Sequence, residues 1–139
     1  MDYETVTADV FGASLRGMGL NIVTRDVRAL ADGLSHVIGM TAHRLSDDFA
    51  IMTYGDQVFQ LHSDGTYSAN PLLGLLPENP PRGGGIEVRL YDTDPDAACD
   101  KAEAHGFTIL QGPTDKPHGL RECYLLCRDG YAWVPSRPL

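Results

Sequence analysis

Cationic side chains are scarce: 11 Lys and Arg stand against 19 Asp and Glu, for a formal net charge of −8 and a sequence pI near 4.9. A chain this acidic repels phosphate backbones and anionic lipid, which excludes nucleic acid and membrane surfaces as expected partners. Long apolar runs are missing too, and none approaches the roughly 18 residues of a spanning helix. The opening Met1-Asp2-Tyr3-Glu4 is acidic and carries no apolar signal-peptide core. Only three cysteines are present, Cys99, Cys123 and Cys127. An odd count so low argues against a disulfide framework and for a reducing, cytoplasmic setting. Cys123 and Cys127 lie in a strand-like run, where four residues separate them by about 13 Å, too far to share a zinc ion. They read as small apolar fillers.

What is present suits one compact domain: 139 residues, 42% apolar and 22% charged. The chain reads as one unit written twice. Its first copy opens with the short alternating run Gly19–Arg25, followed by Asp26 as a helix N-cap. Val27, Leu30, Leu34 and Val37/Ile38 recur at helical spacing on one buried face, and Gly39 ends the helix. Strand-like runs follow at Met40–Leu45, Phe49–Tyr54 and Gln57–His62, with Gly55-Asp56 as a tight turn. In the second copy, Ile86–Tyr91 alternates, and Asp94-Pro95 pairs an N-cap with proline at the first helical position. A helix through Ala97, Ala98 and Ala102 stops at Gly106. Further runs at Phe107–Leu110, Leu120–Leu126 and Tyr131–Val134 complete the copy. The order is βαβββ, twice, in an α+β chain. A ferredoxin-like sandwich fits less well, because three strands and a loop separate the two helices.

The expected organisation is an N-terminal arm over 1–17, a first module over 18–63, a loop over 64–85 and a second module over 86–139. The loop is rich in proline and glycine, and its Pro71–Pro77 patch is apolar enough to pack on the domain or on a partner.

These paired strand–Asp–helix–Gly units are joined late in the chain by Pro113-Thr114-Asp115-Lys116-Pro117-His118-Gly119-Leu120-Arg121-Glu122 and Asp129-Gly130-Tyr131. Together they resemble the vicinal oxygen chelate superfamily of glyoxalases, bleomycin-resistance proteins and extradiol dioxygenases, over about Leu15 to Pro135. The resemblance implies two βαβββ modules whose curved mixed sheets surround one cavity, and a homodimer. Metal-using members place His and Glu ligands on the first and last strand of each module. Carried over, those positions are Gly19, Gln60, Glu87 and Val134, of which Glu87 is an ordinary ligand and Gln60 a neutral donor. His62 lies two residues beyond Gln60 on the same strand face. Gln60, His62 and Glu87 are therefore the candidate metal set. With so few donors no cofactor is expected, a divalent metal being the alternative.

If positions 19 and 87 face the cavity, alternation adds Asn21 and Val23, then Arg89 and Tyr91. The candidate ligand-binding residues are Asn21, Gln60, His62, Glu87, Arg89, Tyr91 and Arg121. Each has a plainer role: Glu87 and Arg89 as a sheet ion pair, His62 as a solvated strand end, Arg121 as a structural clamp. His36, His43, His105 and His118 read as surface or loop histidines. Gly33, mid-helix where members of the superfamily commonly carry an aromatic, either enlarges a pocket or admits a neighbouring side chain.

Three functions follow. One is a metal-independent protein that binds a small organic molecule between the modules. The others are a metal-dependent lyase or dioxygenase using Glu87 and His62, and a dimeric interaction or regulatory module with a vestigial cavity.

Overall fold

The computed structural model describes all 139 residues. After helix α1 (Ala8–Ser14), the first copy runs β1 (Asn21–Thr24), α2 (Val27–Gly33), a π-helical turn (Leu34–Ile38), β2 (Thr41–His43), β3 (Phe49–Tyr54) and β4 (Gln57–Ser63). The second runs β5 (Glu87–Leu90), α3 (Pro95–Ala102), β6 (Thr108–Asp115), β7 (Leu120–Leu126) and β8 (Ala132–Pro138). The repeat is βαβββ in both, and the chain is α+β with two four-stranded mixed sheets.

The sheets have one topology. Strand order is β1-β4-β3-β2 in the first and β5-β8-β7-β6 in the second. In each, the first strand pairs in parallel with the last, Asn21 opposite Gln60 and Glu87 opposite Ala132, and the remaining pairs are antiparallel. Local chemistry sets the helix boundaries. The Asp26 carboxylate accepts from the Ala29 amide at 3.0 Å, and that of Asp94 from the Asp96 amide at 3.0 Å. Gly39 and Gly106, both at φ +87°, close the helical segments in the left-handed conformation that glycine adopts without steric cost.

Residues 1–31 with 40–74 form one compact unit, and residues 32–39 with 75–139 form another. The first unit's core includes Ile22, Val27, Leu30, Ala50, Met52 and Leu61. In the second, Leu34, Val37 and Ile38 join Leu90, Ala98, Ala102, Cys123, Leu125 and Trp133. The π-helical turn packs against α3. Burial of Cys123 and Cys127 agrees with a filler role.

Several details correct the sequence reading. The arm carries a short helix: α1 buries Phe11, whose ring meets Tyr3 edge-on at 5.9 Å. The first helix is not α-helical throughout, since it widens into a π turn after Gly33. Helix α3 passes through Ala97, Ala98 and Ala102, of which Ala98 and Ala102 are buried and Ala97 is exposed. Strands β6 and β8 reach Asp115 and Pro138, well past the expected ends, because register shifts let β6 continue along β7. The 64–85 loop folds into short 3₁₀ turns at Asp64–Tyr67 and Leu73–Leu75. Its later part is tied down where the Arg82 amide donates to the Asp129 carbonyl at 2.7 Å. The apolar patch does not pack on the domain, for Leu75 is 80% exposed, which leaves packing on a partner as the expectation.

Candidate functional site

Helix α3 packs on β6, β7 and β8 of the second sheet, and along every strand alternate residues share a face. In the first unit, Asn21, Gln60 and His62 share one face with the buried Val23 and Ile51. Asn21 and Gln60 are register partners, and His62 is aligned with Val23 on β1 and Phe49 on β3. The Gln60 side-chain oxygen lies 2.9 Å from His62 Nε2. Tyr67, delivered by the turn after β4, places its ring 5.2 Å from that of His62, and its hydroxyl accepts from the Asn21 amide at 3.1 Å. Phe49 closes on the imidazole from the other side at 5.2 Å. Burial desolvates His62 and lowers its pKa below the ordinary value, which favours the neutral ring.

Further along the same face, His43 Nε2 meets the Thr53 hydroxyl at 3.0 Å, and the ring packs against Tyr3. The N-terminal segment therefore caps the β2 edge of this face.

In the second unit, Glu87 and Arg89 stand on β5, and the register through β8 sets Glu122 and Tyr124 of β7 on their face. Arg89 donates to Glu87 at 3.1 Å and, through its other terminal nitrogen, to Glu122. Glu122 is only 2% exposed. His118 Nε2 lies 3.5 Å from the same carboxylate. Tyr91 stacks its ring 5.8 Å from the guanidinium carbon.

The electrostatics follow from these contacts. Burial works against the Arg89 charge, but the hydrogen bonds to Glu122 and Glu87 outweigh it and hold the guanidinium above its usual value. The Tyr124 hydroxyl, with Arg89 behind it, keeps the Glu87 carboxyl below the usual range. The Tyr124 phenol is raised in return, chiefly by Glu87. Ser136, opposite Glu122 on β8, has a buried hydroxyl with no hydrogen-bond partner. Beside Glu87 opens a cleft of about 570 Å³ walled by Gly83–Gly85, Ile86, Leu126 and Ala132. That volume lies within the usual range of small-molecule sites.

The structure thus gathers Asn21, Gln60 and His62 on one sheet face and Glu87, Arg89 and Tyr91 on another. Arg121 belongs to neither. It points to the opposite side of β7, where its guanidinium grips both Asp96 oxygens at 2.8 and 2.9 Å and Asp115 at 2.9 Å. That is the clamp role weighed for it from sequence. Sequence reasoning missed Glu122 and Tyr124. The signal that reveals them is the alternation Glu122-Tyr124-Leu126, readable once β7 is known to lie beside β8. It also missed His36 and His105, whose rings stack at 4.6 Å and 7°.

The four positions at which metal-using relatives carry ligands do not fit a metal here. Gly19 has no side chain, and Val134 is apolar and fully buried. Gln60 is a neutral amide engaged by His62, and Glu87 is engaged by Arg89 and Tyr124. No helix is long and apolar enough to cross a membrane.

Comparison with known proteins agrees with this architecture. A family model described as the Glyoxalase/Bleomycin resistance protein/Dioxygenase superfamily matches residues 19–134. A crystal structure of a glyoxalase/bleomycin resistance protein/dioxygenase family enzyme from Burkholderia phytofirmans PsJN is similar at TM-score 0.71 and 18% identity, covering 86% of this chain and 96% of that one. A glyoxalase/bleomycin resistance protein/dioxygenase from Nocardioides is similar at TM-score 0.65 and 21% identity, covering 94% and 92%. The fosfomycin resistance protein FosX from Mesorhizobium loti is similar at TM-score 0.63 and 12% identity, covering 90% and 94%. No curated protein matches the sequence. With its paired βαβββ units and a family match over most of its length, the chain belongs to the glyoxalase/bleomycin resistance protein/dioxygenase superfamily.

Proposed function

We propose that this protein binds a small organic molecule on the polar face of the second sheet, without a catalytic metal. The observation that carries this reading is the Glu87 carboxylate, which lines an open 570 Å³ cleft and is held there by Arg89, itself bonded to the buried Glu122. Polar groups fixed in this way beside an apolar, glycine-rimmed wall are the usual makings of ligand recognition. Two carboxylates against one guanidinium leave a negative balance. A ligand with a cationic or hydrogen-bond-donating group therefore complements Glu87, which keeps its carboxylate 43% exposed. An apolar portion would lie against Ile86, Leu126 and Ala132. Asn21, Gln60 and His62 form a second candidate contact surface on their own sheet.

A metal-dependent lyase or dioxygenase is the less favoured reading, because the donor set at the relatives' ligand positions is incomplete. The three cysteines are free thiols, which supports a cytoplasmic placement. A homodimer is also proposed, on the strength of exposed Leu72 and Leu75. A monomer by light scattering would remove that part.

The binding reading is tested by screening a library of small amines and amphiphiles by thermal shift after exhaustive chelation. Compounds that stabilise the chelated protein, and lose that effect in Glu87→Gln, are expected. If every stabilising compound requires added metal, or is indifferent to Glu87→Gln, the reading fails.

A further inference from the structure

Asp32, His36 and His105 are remote in sequence from the sheet faces described above, and they meet at one place on the second unit. Asp32 and His36 are four residues apart across α2 and the π-helical turn, so they share a helix face. His36 Nδ1 lies 2.9 Å from the Asp32 carbonyl oxygen and 3.1 Å from the Asp32 carboxylate, and a metal would take the tautomer in which this nitrogen is unprotonated. His105, on the turn after α3, brings its Nδ1 to 3.5 Å from the other carboxylate oxygen. One donor atom from each residue falls within 4.8 Å of the others.

Gly33 makes this meeting possible. A Cβ there would lie 2.8 Å from the Phe107 ring and 3.0 Å from the His105 carbonyl oxygen. Any other side chain would push away the turn that carries His105. The departure noted in the sequence thus admits a neighbour, and that neighbour brings an imidazole. The π turn adds a second local irregularity, of a kind that frequently marks functional sites.

From this geometry we infer that Asp32, His36 and His105 form a surface site for a divalent transition metal, with zinc as the probe ion. Two imidazole nitrogens and one carboxylate oxygen are a donor set suited to zinc, nickel or copper. Bonds of about 2.0–2.2 Å require donor atoms to stand roughly 3.3 Å apart. The present spacing closes to that by moving side-chain tips, because His36 and Asp32 are both 57% exposed and the histidine χ2 torsion is soft. Water completes the coordination on the open side. The ion would clip the C-terminal turn of the first helix to the turn after α3. The site is independent of the ligand-binding reading, since it shares no residue with the sheet faces.

The test is a titration of the chelated, full-length protein with zinc chloride alone, by calorimetry and by thermal melting at neutral pH. One zinc per chain is expected, with a rise in melting temperature of about 10 °C at a hundredfold excess over Kd. His36→Ala, His105→Ala and Asp32→Asn should each weaken binding at least about tenfold, while leaving the metal-free melting temperature close to that of the parent. Added zinc should also shift the His36 and His105 ring resonances together. Absence of saturable binding, or binding of equal strength in both histidine variants, would overturn the proposal, as would zinc shifts confined to other histidines.

Discussion

Arg89 on β5 reaches across the intervening β8 to the carboxylate of Glu122 on β7, so one guanidinium links two strands that are not neighbours in the second sheet. Glu122 has almost no access to water, and its carboxylate is contacted by Arg89 and by nearby His118.

Replacing Arg89 by methionine keeps most of the apolar stem and strands a buried carboxylate. A loss of about 3–5 kcal/mol in unfolding free energy is expected. The double variant Arg89→Met/Glu122→Met should recover most of it, since paired apolar replacements of buried ion pairs are often neutral. Urea unfolding of both variants measures this. Equal stability of Arg89→Met and the parent would show that Glu122 does not depend on the guanidinium.

Gly33→Ala separates two opposing effects. Helix propensity favours alanine by about 1 kcal/mol. The Phe107 ring and the His105 carbonyl oxygen leave no room for the methyl group. Overpacking costs about 1–3 kcal/mol, so net destabilisation is expected by thermal melting. A stabilised variant would mean that the 105–107 segment yields easily.

The His62 pKa is lowered by burial, which fixes the sign of its pH dependence. At pH above the ordinary histidine value both folded and unfolded states are neutral at this residue, and it contributes no pH dependence. As pH falls through the unfolded value toward the lower folded one, the unfolded state takes up the proton first and stability declines. His62→Gln should flatten the fall in stability below about pH 6.5, as followed by denaturation midpoints across the acid range. An unchanged profile would assign the decline to other groups.

Tyr124 acts at the alkaline end. Its phenol is held above the ordinary value, chiefly by Glu87, so the unfolded state releases its proton first as pH rises past about 10. Stability should fall through that window, and less so in Tyr124→Phe. Ultraviolet titration of the phenolate, with parallel melts, reports both quantities.

Phe11 anchors α1, and truncating it to alanine should cost about 3 kcal/mol. Proteolysis near the N-terminus should accelerate in the same variant. Resistance equal to the parent would show that Tyr3 and its contact with His43 hold the segment alone.

Local chemistry made much of this fold readable from the sequence. Asp26, Gly39, Asp94 and Gly106 mark helix ends through their own backbone geometry and capping atoms, with no need of distant residues. Alternation likewise put Asn21, Gln60 and His62 on one face and Glu87, Arg89 and Tyr91 on another. What escaped depends on partners far along the chain. Glu122 becomes a neighbour of Arg89 only through the pairing of β5, β8 and β7, and 73 positions separate Asp32 from His105. Phe11 escaped for another reason: α1 is short and carries a single buried apolar residue, which is no period at all.

The parallel pairing of first and last strand has a consequence for biosynthesis. During translation, β1 leaves the ribosome without its neighbour and waits until Gln60 has emerged, and β5 waits likewise for Ala132. Hairpins can zip locally, but a strand whose mate is the last of its module cannot. Each opening strand therefore spends its wait as an unprotected edge, the state in which nascent chains most readily associate wrongly. Both strands are only four residues long, and brevity limits the exposed edge. A nascent chain arrested before Ala132 should thus show the β6–β7 hairpin forming while β5 remains accessible to protease.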